Sequence, residues 1–196
     1  HCAFKLDGQI VAGSTMPAVF CSQNGEVVRA QNLLNALAEG QPMSPTDFSL
    51  SVHNAVAGVY SIGCGQLGNI TAMSAGKDGL AMSLLEARGL LDDGDHRRVL
   101  CVLYDSPLPD FYPPGSNQCA LPYALAFVLS KRPPVTGDTS SQNADHLHIE
   151  LLPDGEQLGG GLYSPRPLLR FLLDKHATSI DLGGAGFAWR FSRLDT

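Results

Sequence analysis

Nowhere does the sequence hold an apolar run approaching the roughly 20 residues of a membrane-spanning helix, and no cluster of Lys or Arg interrupts it. The first absence excludes a helical membrane span. The second, with a formal net charge of −6, argues against a nucleic-acid partner or an anionic membrane surface, both of which are bound through basic patches. The opening residues HCAFKLDGQ lack the charged-then-apolar layout of a secretory leader, so a soluble, cytoplasmic protein is expected. Cysteine is sparse and unpatterned. Cys2, Cys21, Cys64, Cys101 and Cys119 are odd in number, none is in CxxC spacing, and Cys21 and Cys101 lie in apolar runs. They read as buried reduced thiols rather than disulfides or a zinc site. The glycine-rich stretches QLGGGLY and LGGAG lack the GxGxxG and GxxxxGK orders of phosphate loops and read as bends. No cofactor and no metal are expected: His146 and His148 share a strand face, but no third ligand is placed beside them by sequence.

With 44% hydrophobic and 16% charged residues, the chain has the composition of a globular protein with a real core. No internal repeat or low-complexity linker divides it, so one domain over residues 1–196 is expected. Ala18 to Cys21 reads as a strand closed by the Asn24-Gly25 turn, and EVVRAQNLLNALAEG as an amphipathic helix ended by Gly40 and Pro42. The stretch from Ser44-Pro45, a helix-start signal, to Ile62 mixes small and apolar residues and reads as one buried central helix. Asn69 to Ser74 reads as a strand, Asp78 to about Leu91 as a helix, and RRVLCVLYD as a strand buried on both faces. Strand, helix, strand in that order implies a crossover within a parallel sheet. LPYALAFVLS and HLHIELLP read as further strands across the polar loop KRPPVTGDTSSQNAD, SPRPLLRFLLDKH as a short amphipathic helix and GFAWRFSRL as a closing strand.

The stretch MSAGKDGLAM, Met73 to Met82, has the layout of a strand end, a tight turn and a helix start. That turn is where α/β enzymes present a nucleophile, because free amides and the helix dipole stabilise a thiolate or an oxyanion there. The turn residue is Gly76, which has no side chain to react. Ser74 and Lys77 flank it, but a serine nucleophile needs a positioned base and none is evident. His53, beside Asn54, reads as a hydrogen-bonded core histidine.

Taken in order and spacing, MSP (Met43 to Pro45), NAVAG (Asn54 to Gly58), GNITAMSAGKDG (Gly68 to Gly79) and YALAFVLS (Tyr123 to Ser130) resemble the N-terminal half of β-ketoacyl synthases of the thiolase fold. The resemblance covers about Ala18 to Leu152. It implies an α/β fold, a thiolase-like half with a mixed, mostly parallel sheet covered by helices. Aligned on Ala75 and Gly79, Ser74 takes the family's threonine place, Gly76 the nucleophilic cysteine place and Asp78 the serine place. The glycine pair and acid of the family's next strand are replaced by VLYDS, and 196 residues leave no room for a second thiolase half with its catalytic histidines. The chain thus resembles the short chain-length-factor-like subunits of aryl polyene ketosynthases. That resemblance implies a non-catalytic subunit with no catalytic residue of its own. Its partners would be a full-length β-ketoacyl synthase, in a heterodimer, and an acyl carrier protein. It further implies that Ile70, Thr71, Ala72, Met73 and Ser74 pair across the dimer interface and that Met43 lines the acyl tunnel. The alternatives are an active homodimeric member of the family using another nucleophile such as Cys64, and a free-standing acyl-binding scaffold.

Overall fold

The computed structural model describes residues 13–93, 96–113, 121–130, 147–153, 164–184 and 187–194. A first sheet is built around β1 (Ala18–Cys21), which runs parallel to β2 (Ile70–Met73) on one side and to β3 (Arg98–Asp105) on the other. β4 (Tyr123–Ser130) closes the far edge antiparallel to β3, so the order is β2-β1-β3-β4. The continuous apolar runs of β1 and β3 suit strands covered on both faces. On one face, Val19, Val99 and Cys101 pack on Ala87 and Leu91 of α4 (Gly79–Asp93). On the other, Ala18, Phe20, Leu100 and Val102 pack on Ala57 and Tyr60 of α3 (Ala55–Cys64), the Phe20 and Tyr60 rings lying 5.3 Å apart. The period-2 alternation of the strands assigns these faces.

A second sheet, wholly antiparallel and ordered β5-β7-β6, is formed by β5 (Leu147–Leu152), β6 (Ser179–Gly183) and β7 (Ala188–Arg193). With α5 (Arg166–Leu173) it covers the outer side of α4: Leu168, Phe171, Leu182, Trp189 and Phe191 share a core with Leu80, Ala81 and Leu84 of α4 and with Cys21 and Leu103. Arg193 fastens α5 to this sheet. Its Nη2 donates to the carbonyls of Phe171, Leu172 and Asp174 at 2.7, 3.1 and 3.3 Å, and its Nε to that of Ala177 at 3.1 Å. Carbonyls left open at the helix C-terminus thereby gain a cationic donor.

The structure departs from the sequence reading at two points. The stretch expected as one buried central helix is two helices, α2 (Pro45–Ser49) and α3. Ser44 caps α2, its Oγ accepting from the Asp47 amide at 3.2 Å, and Leu50 to Asn54 turn before α3 begins. α3 is buried on one side only: Ala55, Ala57 and Tyr60 are inside, while Val59 and Ile62 are 53% and 85% exposed. Second, SIDLG, which has no strand signal beyond two apolar residues, forms β6 because β7 offers it a ladder. β4 and β5, both read as strands, belong to different sheets. The loop 131–145, expected to be the most mobile, and the stretch QLGGGLY lie outside the described residues.

The helix α1 (Val27–Ala38) forms where its 3.6-residue pattern predicts and ends at Gly40 with φ +70°, yet it buries no residue. Val28, Leu34 and Leu37 of its apolar stripe are 43%, 64% and 59% exposed.

Candidate functional site

The site lies where β1, β2 and β3 end together, beside the start of α4. Parallel strands bring their C-terminal ends to one edge, the usual place for chemistry in such sheets. Asp105, the last residue of β3, is 7% exposed and organises this edge. Its Oδ1 accepts from Ser22 Oγ at 2.8 Å and from the Asn24 amide at 2.9 Å, and its Oδ2 from the Gln23 amide at 2.9 Å and Tyr123 Oη at 3.4 Å. Ser22 Oγ in turn accepts from the Gly25 amide at 2.8 Å. The turn after β1 is therefore wrapped around one carboxylate. The sequence reading missed this residue, and the signal was present: an acid ending an otherwise apolar strand needs several donors to be buried.

His53 is a structural histidine, as its sequence context indicates. Its Nε2 lies 3.1 Å from the Met73 carbonyl, which as an acceptor requires Nε2–H, and its ring leaves no space for a side chain at Gly25, held at φ +55°. It ties the α2–α3 junction to the end of β2. Ser74 is exposed, and its Oγ donates to the Gln23 carbonyl at 3.1 Å, linking β2 to the turn after β1.

The elbow itself is a 3₁₀ turn, Gly76–Asp78, leading directly into α4. Gly76 is exposed with φ +53°, a left-handed conformation that L side chains adopt at a cost. Among the described residues no atom beyond its chain neighbours lies within 4 Å of where its Cβ would be. Asp78 is buried, and its Oδ1 accepts from Trp189 Nε1 at 3.0 Å. A carboxylate at the start of α4 also sits at the favourable end of the helix dipole. Gly184, just after β6, lies so close that a side chain there would run into Asp78.

Beneath the elbow, the Cys21 thiol donates to the Gly79 carbonyl at 3.4 Å. Burial, with the charge of Asp105 adding to it, pushes this thiol up to about 11, and burial with the charge of Cys21 pushes Cys101 up to about 12. Both are neutral and sealed off, as expected for core thiols. Cys64 is half-buried at the last position of α3, away from any helix N-terminus, whose amides a reactive thiol would use. Cys2 and Cys119 lie outside the described residues, as does His146, while His148 is exposed on β5. Among the described residues no group of three or more His, Cys, Asp or Glu is placed to hold a metal ion. No helix there is long and apolar enough to cross a membrane.

Met43, 43% exposed, lines a cavity of about 390 Å³ between α1 and α2 together with Val28, Leu33 and Ala36. Arg29 and Asp47, paired at 2.7 Å, form its polar wall. Ile70 to Met73 form the edge strand of the first sheet, paired on one side only and half-buried, with Ser74 exposed at its end.

A parallel-centred sheet with a helix on each face and an elbow leading into one of those helices defines an α/β protein. The model of the β-ketoacyl synthase N-terminal domain matches residues 1–190, and the chain belongs to this family. Among solved structures it is similar to a ketosynthase, ApeO, in complex with its chain length factor, ApeC, from Xenorhabdus doucetiae. The match has a TM-score of 0.71 and 26% identity, over 92% of this chain and 70% of that one. It is also similar in fold to the ishigamide ketosynthase/chain length factor, with a TM-score of 0.53 and 14% identity, over 76% of this chain and 44% of that chain. Comparison with curated proteins finds no match.

Proposed function

We propose that residues 1–196 form one ketosynthase-like domain acting as the non-catalytic, chain-length-determining partner of an active β-ketoacyl synthase in the elongation of polyene or fatty acyl chains. The observation that carries this reading is an elbow that is fully built but holds only Gly76, with open space where a nucleophile would project. The elbow's scaffold, from Asp105 and Ser22 to Asp78 and Trp189, is held by buried hydrogen bonds. What it supports is then a surface, not a reaction.

That surface wants a partner. β2 offers an open edge with no charge or proline in Ile70 to Ser74, the kind of edge that aggregates unless it is covered. α3, which packs on β2, turns Val59 and Ile62 outward, and α1 and α2 leave Leu34, Leu37 and Phe48 exposed. Obligate interfaces of about 2,000 Å² or more are apolar at the centre, and these elements supply such a face. The cavity at Met43 fits an acyl-tunnel wall, since Met adapts its shape to a flexible occupant. The likeness to a ketosynthase and chain length factor complex agrees with this. The partner is a full-length β-ketoacyl synthase, the carrier of the chain an acyl carrier protein and the compartment the cytoplasm.

The test is co-expression with and without a full-length ketosynthase encoded beside it, followed by size-exclusion chromatography and an elongation assay on acyl carrier protein substrates. A stable heterodimer whose product length depends on this chain is expected. A soluble monomer that leaves the ketosynthase's products unchanged overturns the reading. A stable acyl adduct on Cys64 would establish the enzyme alternative instead.

A further inference from the structure

A second concavity lies among the described residues between α5 and β6. It has a volume of about 790 Å³, and its apolar lining includes Phe171, Leu173, Ala177 and Ile180. Arg166 and Arg170 stand at its rim, one helical turn apart and both exposed. Residues at i and i+4 share a helix face, so both arginines line the groove from the same side of α5. Neither forms an ion pair among the described residues, whereas Arg29, Arg88 and Arg190 all do. Asp174 also lines the groove, but its Oδ1 is engaged by the His176 amide at 3.0 Å. On a chain with net charge −6, two free guanidinium groups beside exposed apolar surface are a selective feature.

We propose that this groove binds a long-chain acyl anion, its head held by Arg166 and Arg170 and its tail laid along Phe171, Leu173 and Ile180. Arginine presents a planar fork that matches a carboxylate or phosphate in a bidentate fashion. The volume lies within the 300–1,000 Å³ of ordinary ligand sites. Size argues against a docked protein helix. α5 has eight residues, about 12 Å of length, and two turns of a partner helix against it would bury on the order of 200 Å² per side, far below the roughly 800 Å² of a stable interface. A small amphiphile needs no such area, because each methylene removed from water contributes about a fourfold gain in affinity.

The site does not depend on the partner reading, and the two are tested apart. The full chain, in its heterodimer where one forms and alone where it does not, is titrated with dodecanoate, dodecyl phosphate, dodecanol and octanoate by displacement of a fluorescent fatty acid. The expected result is micromolar binding of the twelve-carbon anions, with dodecanol about tenfold weaker or more and octanoate, four methylenes shorter, about 100-fold weaker or more. Dodecyl phosphate binding tighter than dodecanoate would assign the head to a phosphate, and the reverse order to a carboxylate. Arg166→Gln with Arg170→Gln should weaken the anions at least tenfold with no change in melting temperature or in elution with the ketosynthase, as both side chains are exposed. Leu173→Ser, at a side chain 72% exposed, should weaken dodecanoate but not the fold. Equal binding of dodecanol and dodecanoate, affinity unchanged in either variant, or binding to phosphatidylglycerol vesicles without binding of monomeric dodecanoate would overturn the proposal. Loss of the heterodimer in the wild-type chain counts against the partner reading alone.

Discussion

Replacing Asp105 by Asn tests whether one buried carboxylate holds the turn after β1. The change keeps shape and removes one acceptor oxygen. In the native protein Oδ1 serves Ser22 Oγ and the Asn24 amide, and Oδ2 serves the Gln23 amide and Tyr123 Oη. All four are donors, so whichever way the amide turns, its NH₂ faces two of them. Hydrogen bonds to a charged acceptor contribute about 1.5–3 kcal/mol each. Losing one strong and one weaker bond, offset by the lower cost of burying a neutral amide, comes to about 2–3 kcal/mol. For a chain of this size each kcal/mol shifts Tm by about 2–4 °C, so a fall of about 5–10 °C is expected in a thermal melt followed by circular dichroism. Ser22→Ala removes a donor to Asp105 and an acceptor for Gly25, so the two substitutions should be coupled by about 1 kcal/mol or more in a double-mutant cycle. A Tm for Asp105→Asn within 2 °C of wild type, or strict additivity with Ser22→Ala, would refute the reasoning.

Ala72→Arg places a charge in the centre of the proposed β2 interface; co-purification with the ketosynthase should be lost, at a cost of several kcal/mol by analogy with buried unpaired ions, and wild-type heterodimer yield would place the interface elsewhere. Met43→Trp should fill part of the cavity of about 390 Å³ and shorten the acyl product, while Met43→Ala should lengthen it, as read by mass spectrometry of the released chains. Gly76→Cys should be accommodated in open space, destabilise by about 1–2 kcal/mol through its left-handed backbone, and give no condensation, because the resemblance assigns no residue of this chain to the family's catalytic histidines. Maleimide labelling of the folded chain at pH 8 should modify Cys64 well before Cys21 or Cys101. The folded thiols at about 11 and about 12 lie above the ordinary 9.0, so the unfolded chain loses these protons first. Their contribution to stability is whole below about pH 9 and lost as pH rises toward 11 and 12, which urea midpoints across that range should show.

Much of the fold was legible because the patterns responsible are local. β1, β3, α1 and α4 follow from apolar runs and 3.6-residue periodicity, β7 from the alternation of its large residues, and the capping of α2 from Ser44-Pro45. β6 was not legible, since SIDLG becomes a strand only beside β7. The break between α2 and α3 was hidden as well. Small and apolar residues run through both helices, and it is the packing of Phe20 on Tyr60 and the His53 bond to Met73 that set where α3 starts.

The sequence by itself determined the family, the strand–turn–helix order and the empty Gly76, because spacing along the chain and the identity of one residue suffice for each. Only the tertiary structure decided what surrounds that elbow. Asp105 gathers donors from residues 22–24 and Tyr123, and Trp189 reaches Asp78 across 111 positions. Nor could the sequence distinguish apolar residues that face the core from those left exposed on α1 and α3. An amphipathic pattern records that a helix face is to be covered, whereas the identity of what covers it depends on which elements the fold brings alongside and which faces it leaves open.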